Sequence, residues 1–251
     1  MSEPLEILYE DERIVAVNKP SGLLVHRSWI DREATAFALQ TVRDMTGRYV
    51  HPVHRLDKPT SGVLVFAFDK EAARRMGELF AEGSVHKRYL AVVRGYTDEA
   101  GVIDYPLREI LDKMTDAKAR DDKEAQEAVT NYRRLATVEL PIPVSRYPVA
   151  RYSLVELSPE TGRKHQLRRH MKHIFHPIVG DTKYGRTEHN RLFRKHFDSH
   201  RLLLHAASIE FPHPIDGETV EIGAPMPEDF MKIARLFGKI PEKMQTGLSG
   251  E

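Results

Sequence analysis

The amino-acid sequence predicts an α+β fold: a mixed, mostly antiparallel sheet with flanking helices. Short runs rich in Val, Ile and Leu recur between turns that carry Pro and Gly. Other segments repeat their apolar residues every three or four positions, the period of a helix. No internal repeat, low-complexity linker or break in composition divides the 251 residues. A single domain is therefore expected, with its core over about residues 5–237.

Residues 5–25 read as short strands. IVAV at 14–17 is stopped by NKPSG at 18–22, where Pro20 fixes φ and Gly22 permits a positive φ, and LLV then resumes as another strand. Residues 35–45 set Phe37, Ala38, Thr41, Val42 and Met45 at helical spacing, and Gly47 ends the run. VLVFAF at 63–68 is a strand. Asp69 caps a helix over KEAARRMGELFAE, whose inner face is Ala72, Met76, Leu79 and Phe80, and Gly83 stops it.

Residues 87–93 form a strand with Tyr89 near its start. Residues 108–128 are dense in charge and poor in aromatics, which reads as an exposed excursion, partly helical or mobile. Strands return at 129–139 and 152–157, separated by the Pro-rich PIPVSRYP. A turn at Thr161 and Gly162 leads into a short helix over 165–174, with Leu167, His170 or Met171, and Ile174 as its apolar stripe. Residues 186–200, basic and rich in His, read as a surface excursion. LLLHAASIEF and TVEIGAP are the last strands. Phe230, Ile233, Ala234 and Phe237 mark a final helix over 227–237, and the last dozen residues a loose tail.

Composition narrows the class. There is no run of 18 apolar residues, so no membrane span is expected, and the acidic MSEPLEILYEDER start does not have the pattern of a signal peptide. The chain has no Cys, which removes disulfide and thiolate chemistry. A cytoplasmic protein fits. Net charge is only +1, but residues 163–201 carry eleven Lys or Arg against three acids, and seven His besides. A basic block inside a near-neutral chain suits phosphate tracking, although a solvated helix face has the same composition.

The stretch that organises the chemistry is HRLDKPTSG at 54–62. It places His54, Arg55 and Asp57 just ahead of a tight turn into the strand at 63–68. A carboxylate on such a loop is held rigidly with its oxygens free to face a cleft; the alternative is a local cap. A kinase HRD loop does not fit, because Leu56 intervenes and neither a Gly-rich loop nor a DFG is present. His165, His170, His173 and His176 lack the accompanying carboxylates of a common zinc motif, so no metal is expected there. Arg55 and Asp57 point in parallel from an extended segment, so a partner for Asp57 has to come from elsewhere. The Arg-rich segment at 162–170 offers one. A buried Arg–Asp pair at ~4 Å attracts by roughly 4 kcal/mol before desolvation and keeps a carboxylate charged. Such a carboxylate can attack carbon or take a proton without a cofactor.

On these residues the chain resembles the RluA-type pseudouridine synthase family. HRLDKPTSG resembles the family's HRLDxxTSG motif. NKPSGLLVH resembles its upstream KPxG, HKRYLAVVRG its KxYxAxVxG strand, and ELSPETGRKHQLRRHM its TGRxHQIRxH segment. All four occur in family order. The resemblance implies the pseudouridine synthase catalytic fold around a central cleft, and isomerisation of uridine to pseudouridine in RNA without a cofactor. It implies that Asp57 is catalytic, that Arg55 fills the gap left by a flipped base, and that Tyr89 stacks on that base. Leu167 would line the uracil pocket and Arg168 would pair with Asp57. The expected partner is RNA. The lack of an S4-type RNA-binding module, together with residues 110–123 and 145–157, leans toward the members acting at uridine 65 of tRNA. An rRNA or dual-specificity enzyme is the alternative within the class, and a non-catalytic RNA-folding chaperone the alternative outside it. Substrate choice is expected to lie in 108–128 and 186–200.

Overall fold

The computed structural model describes residues 4–26, 36–109 and 124–238. The strands that read as continuous apolar runs are those buried on both faces. In β2 (Ile14–Lys19), Ile14 and Ala16 pack into one cluster and Val15 and Val17 into another. In β4 (Ser61–Ala67), Val63 and Val65 divide from Leu64 and Phe66 in the same way. Both strands are interior to the sheet, where an apolar run is expected to replace alternation.

Among the described residues, ten strands form one sheet. The others are β1 (Glu6–Glu10), β3 (His51–Pro52), β5 (His86–Arg94), β6 (Ala100–Asp104), β7 (Val129–Leu140), β8 (Ala150–Pro159), β9 (Leu204–Pro212) and β10 (Thr219–Gly223). Their order is β1-β2-β4-β9-β5-β8-β7-β6, with β10 on β9 and β3 on β4. Every named pair is antiparallel except β4 with β9, parallel through Ser61↔His205 and Gly62↔Ala206.

The helices cover the sheet's faces. Helix α1 (Ala38–Thr46) buries Ala38, Thr41 and Val42. Helix α2 (Lys70–Glu82) is capped as expected: Asp69 accepts from the Ala72 N–H, and Gly83 closes it in the left-handed conformation. Helix α3 (Gln166–His173) packs Leu167 and Met171 against β5 and β8 residues. Helix α5 (Glu228–Ala234) runs into a 3-10 turn, Arg235–Phe237.

Several expectations are corrected. Residues 186–200 are not a mere excursion, because they hold helix α4 (Thr187–Phe197), with Leu192 and Phe193 in the core. The charge of the segment hid a helical stripe of His189, Asn190, Leu192 and Phe193, all buried. LLV after the NKPSG turn is not a strand; Leu24 makes only an isolated bridge with Phe37. Strand β6 was missed, its five residues AGVID being short, opened by Ala and Gly, and buried only at Ile103. Of the charged segment 108–128, residues 110–123 lie outside the described residues, as does the tail beyond 238. The flanks of that segment are paired, Leu107 with Gln126 through two backbone hydrogen bonds of 2.8 and 3.0 Å.

Candidate active site

HRLDKPTSG connects β3 to β4, and nearly every residue of it has a structural reason. His54 Nε2 accepts from the Val65 N–H at 3.0 Å. Leu56 is buried in the core. The Thr60 N–H donates to the Asp57 carbonyl at 2.9 Å and closes the turn. Ser61 Oγ lies 2.9 Å from His205 Nδ1 and receives a hydrogen bond from Arg201 Nη2. His205 Nε2 faces the Ala224 carbonyl at 3.2 Å, so Nε2 carries the proton and Nδ1 accepts from Ser61. Gly62 has φ 115°, and a Cβ there would sit 2.1 Å from the Ala206 carbonyl oxygen. Only glycine allows β4 to approach β9 so closely.

The NKPSG turn grips this loop. The Lys19 ammonium is fully buried and donates to the carbonyls of Pro20, Leu23 and Lys58 at 2.9, 2.8 and 3.2 Å. The Gly22 N–H also donates to the Lys58 carbonyl, and Ser21 Oγ to that of Pro59, both at 2.8 Å. Burial, and then the nearby charge of Arg201, push the Lys19 pKa down to about 7, against an opposing pull from Asp57. Two turns that the sequence separates by some forty residues thus form one unit.

Across the cleft, α3 is anchored by Gln166. Its Oε1 accepts from Thr161 Oγ1 and the Arg163 N–H at 2.7 and 2.9 Å. Its Nε2 donates to the Val129 carbonyl and Thr130 Oγ1 at 2.9 and 3.0 Å. All four hydrogen-bonding positions of this buried amide are filled. The next two residues, Leu167 and Arg168, are consequently held in place.

Arg168 reaches Asp57 with Nη1 at 3.0 Å from Oδ2. Its other edge is clamped by Asp181, with Nε to Oδ2 at 2.7 Å and Nη2 to Oδ1 at 3.0 Å. Asp181 also accepts from the N–H groups of Lys183 and Tyr184, both at 2.9 Å. Burial opposes the Arg168 charge, but the hydrogen bonds and charge of Asp181, then of Asp57, raise its pKa. Burial likewise works against the Asp181 charge, and Arg168 outweighs it, so that pKa is lowered. The bidentate clamp leaves a single guanidinium edge facing Asp57.

The Asp57 side chain is 26% exposed, against 7% for Arg168. His165 opens α3 in the left-handed conformation, φ 58°, with Nε2 3.8 Å from Asp57 Oδ1 and Nδ1 2.9 Å from the Tyr184 hydroxyl. Tyr89 projects from β5 beside a bulge between Arg88 and Tyr89 in its pairing with β9. Bulges re-aim side chains of this kind. Burial, with Asp57 adding, raises the Tyr89 pKa above the ordinary phenol value. Arg55, Asp57, Tyr89, Leu167 and Arg168 all line one cleft of about 790 Å³, Arg55 being exposed at its edge.

All five sequence-predicted residues therefore converge. Asp181, Lys19 and His165 were missed as members of the site. GDTKYG around Asp181 offers a turn signal but no hint that the carboxylate reaches Arg168. The four histidines 165, 170, 173 and 176 part company. His170 bonds Thr130 Oγ1 and the Tyr105 carbonyl, His173 stacks on Tyr105, and His176 bonds the Arg94 carbonyl. A carboxylate held against a guanidinium and facing a cleft can serve as nucleophile or base.

A family model described as RNA pseudouridylate synthase matches residues 13–173. The chain is 54% identical over 234 residues to the tRNA pseudouridine synthase C of Vibrio cholerae serotype O1, covering 93% of this chain and 96% of the relative. The enzyme of that name from Haemophilus influenzae is also 54% identical over 234 residues, covering 93% and 98%. Among solved structures, Human RNA Pseudouridylate Synthase Domain Containing 4 matches with a TM-score of 0.71 at 30% identity, over 94% of this chain and 95% of that one. Human RNA Pseudouridylate Synthase Domain Containing 1 matches with a TM-score of 0.67 at 29% identity, over 90% and 84%. With its motifs gathered in one cleft and its relatives matched nearly end to end, this chain belongs to the RNA pseudouridylate synthase family.

Proposed function

We propose that this protein is a tRNA pseudouridine synthase acting at uridine 65, with Asp57 as its catalytic carboxylate. The observation that carries the reading is the Asp57–Arg168 contact of 3.0 Å at the wall of the cleft, held from behind by Asp181. The relatives named tRNA pseudouridine synthase C support the choice of tRNA. One continuous sheet, with both motif-bearing walls attached to it, supports treating the chain as a single catalytic domain. Among the described residues no helix is long and apolar enough to cross a membrane, which is compatible with work on tRNA in the cytoplasm.

The reaction is an isomerisation. The N1–C1′ bond breaks, the uracil turns, C5 bonds to C1′, and the C5 proton is lost as N1 gains one. The product keeps every atom, so the chemistry itself calls for no redox partner or nucleotide. The base first leaves its stack, at a cost of a few kcal/mol. Arg55, at the rim, fills the gap; Tyr89 stacks on the extruded ring, an interaction worth ~1–3 kcal/mol; Leu167 packs the pocket. Asp57 then attacks C1′ or removes the C2′ proton. In either route its oxygen has to stay directed at the sugar, and the Arg168 edge does that.

The test is pseudouridine mapping of total RNA from cells with the protein, without it, and with Asp57→Asn. The expected result is loss of one tRNA pseudouridine in both altered strains, and a fall in turnover of about four orders of magnitude for the purified variant. Substantial residual activity, or loss of an rRNA site instead, would overturn the assignment.

A further inference from the structure

Helix α3 ends in a way that its own packing does not explain. The Phe175 N–H donates to the Lys172 carbonyl at 3.0 Å and the His176 N–H to the Met171 carbonyl at 2.8 Å. That pair of bonds is a Schellman closure, with Phe175 at its left-handed position, φ 65°. Glycine is the usual occupant, because a Cβ is disfavoured there. The Phe175 ring is moreover 80% exposed, the most exposed of the large hydrophobic residues described. The position therefore carries both backbone strain, which clusters at functional sites, and an apolar ring in water.

Its surroundings indicate the occupant. Lys172 and His173 are exposed and Arg169 is half-buried on the same helix. The His173 ring is stacked on Tyr105 with centroids 3.7 Å apart and planes 17° from parallel. Aromatic faces interleaved with cations suit a nucleic-acid strand, with bases stacking on rings and phosphates meeting ammonium and guanidinium groups. Phe175 closes the helix whose first turn carries Arg168 to the cleft, so ring and cleft are presented by one short element.

We propose that Phe175 is a second RNA contact, a ring on which an unpaired base of the substrate stacks while Lys172 and Arg169 meet the adjoining phosphates. It sets the register of the strand that enters the cleft. The inference rests on the RNA reading above and adds a residue outside the catalytic group.

The experiment compares wild type with Phe175→Leu, Phe175→Trp and Phe175→Gly. It uses an in vitro tRNA transcript for filter-binding affinity and for steady-state turnover, together with thermal melting. Leucine keeps the strain and the apolarity but lacks a π face, so affinity should fall about tenfold and KM should rise to match, with kcat changed far less. Tryptophan should retain affinity. Glycine should lose affinity like leucine yet melt about 2–4 °C higher, because the strain is relieved. Unchanged affinity in both the leucine and glycine variants would overturn the proposal. So would a glycine variant that melts lower, since the ring would then be packing on its own chain. Wild-type protein that binds the transcript but forms no pseudouridine would sink the enzymatic reading, and the affinity comparison would still decide this one.

Discussion

The loop at residues 54–62 and the basic window at 163–201 both supply the cleft, yet they carry their information differently. In the loop, position and role coincide. Gly62 is required by the close parallel approach of β4 to β9, Ser61 bonds His205 across that approach, and Asp57 faces the cleft. In the window, identical side chains do opposite things. Arg168 is buried between two carboxylates while its neighbour Arg169 is half-buried beside it. Arg201 is tied to Asp229 and Ser61, whereas Arg191, Arg194 and Lys195 face solvent from α4. Formal charge in the window therefore says little about role; depth and partners decide it.

Arg168→Ala tests that division most severely. It strands Asp181, whose side chain is fully buried, and leaves Asp57 without its cation. Removing one partner of a buried pair costs about 3–5 kcal/mol, so a clear drop in the urea midpoint should accompany loss of turnover. Arg168→Lys should recover part of the stability and little of the activity, since an ammonium cannot hold Asp181 side-on and still reach Asp57. A variant that kept full stability and turnover would show that the network is decorative.

Acid should expose a second contrast. His189 Nδ1 is hydrogen-bonded to the Tyr152 hydroxyl at 2.8 Å, and His205 is enclosed by Ser61 and Ala224. Burial pushes both down to about 4. The unfolded chain, with histidines near 6.5, takes up these protons first as pH falls. Stability should therefore decline between about pH 6.5 and 4, by about 1.4 kcal/mol per pH unit for each histidine, and these two should add nothing below that range. Urea melts across the range, with His205→Gln as the control that flattens the slope, would check it.

Exposed cations should give the smallest effect on folding. Arg194→Glu with Lys195→Glu should shift stability by no more than about 0.5 kcal/mol per site. Affinity for tRNA should nevertheless fall, and the dependence on salt should become shallower. A large change in melting, with binding and its salt slope intact, would mean that α4 is structural on both faces.

Much of the architecture could be read from the chain. Asp69 and Gly83 bound α2 because capping is a local matter, settled by a few neighbouring φ/ψ values and hydrogen bonds. The buried runs of β2 and β4 announce interior strands through side-chain period alone. The motif residues identified the cleft because their spacing is specific. By contrast α4 was obscured, since its charged outer face dominates the composition while its inner face needs the apolar core around Phe193, Leu192 and Phe230 to be recognised as packed.

Periodicity and punctuation, then, are properties of short segments, and they were enough for most elements and for the α+β class. Pairing at long range is not written in any short pattern. The insertion of β9 between β4 and β5, the reach of Lys19 to the Lys58 carbonyl, and the clamp of Asp181 on Arg168 each join groups that acquire a common surrounding only when the sheet closes. Such contacts depend on desolvation and mutual geometry, and neither exists along an unfolded chain.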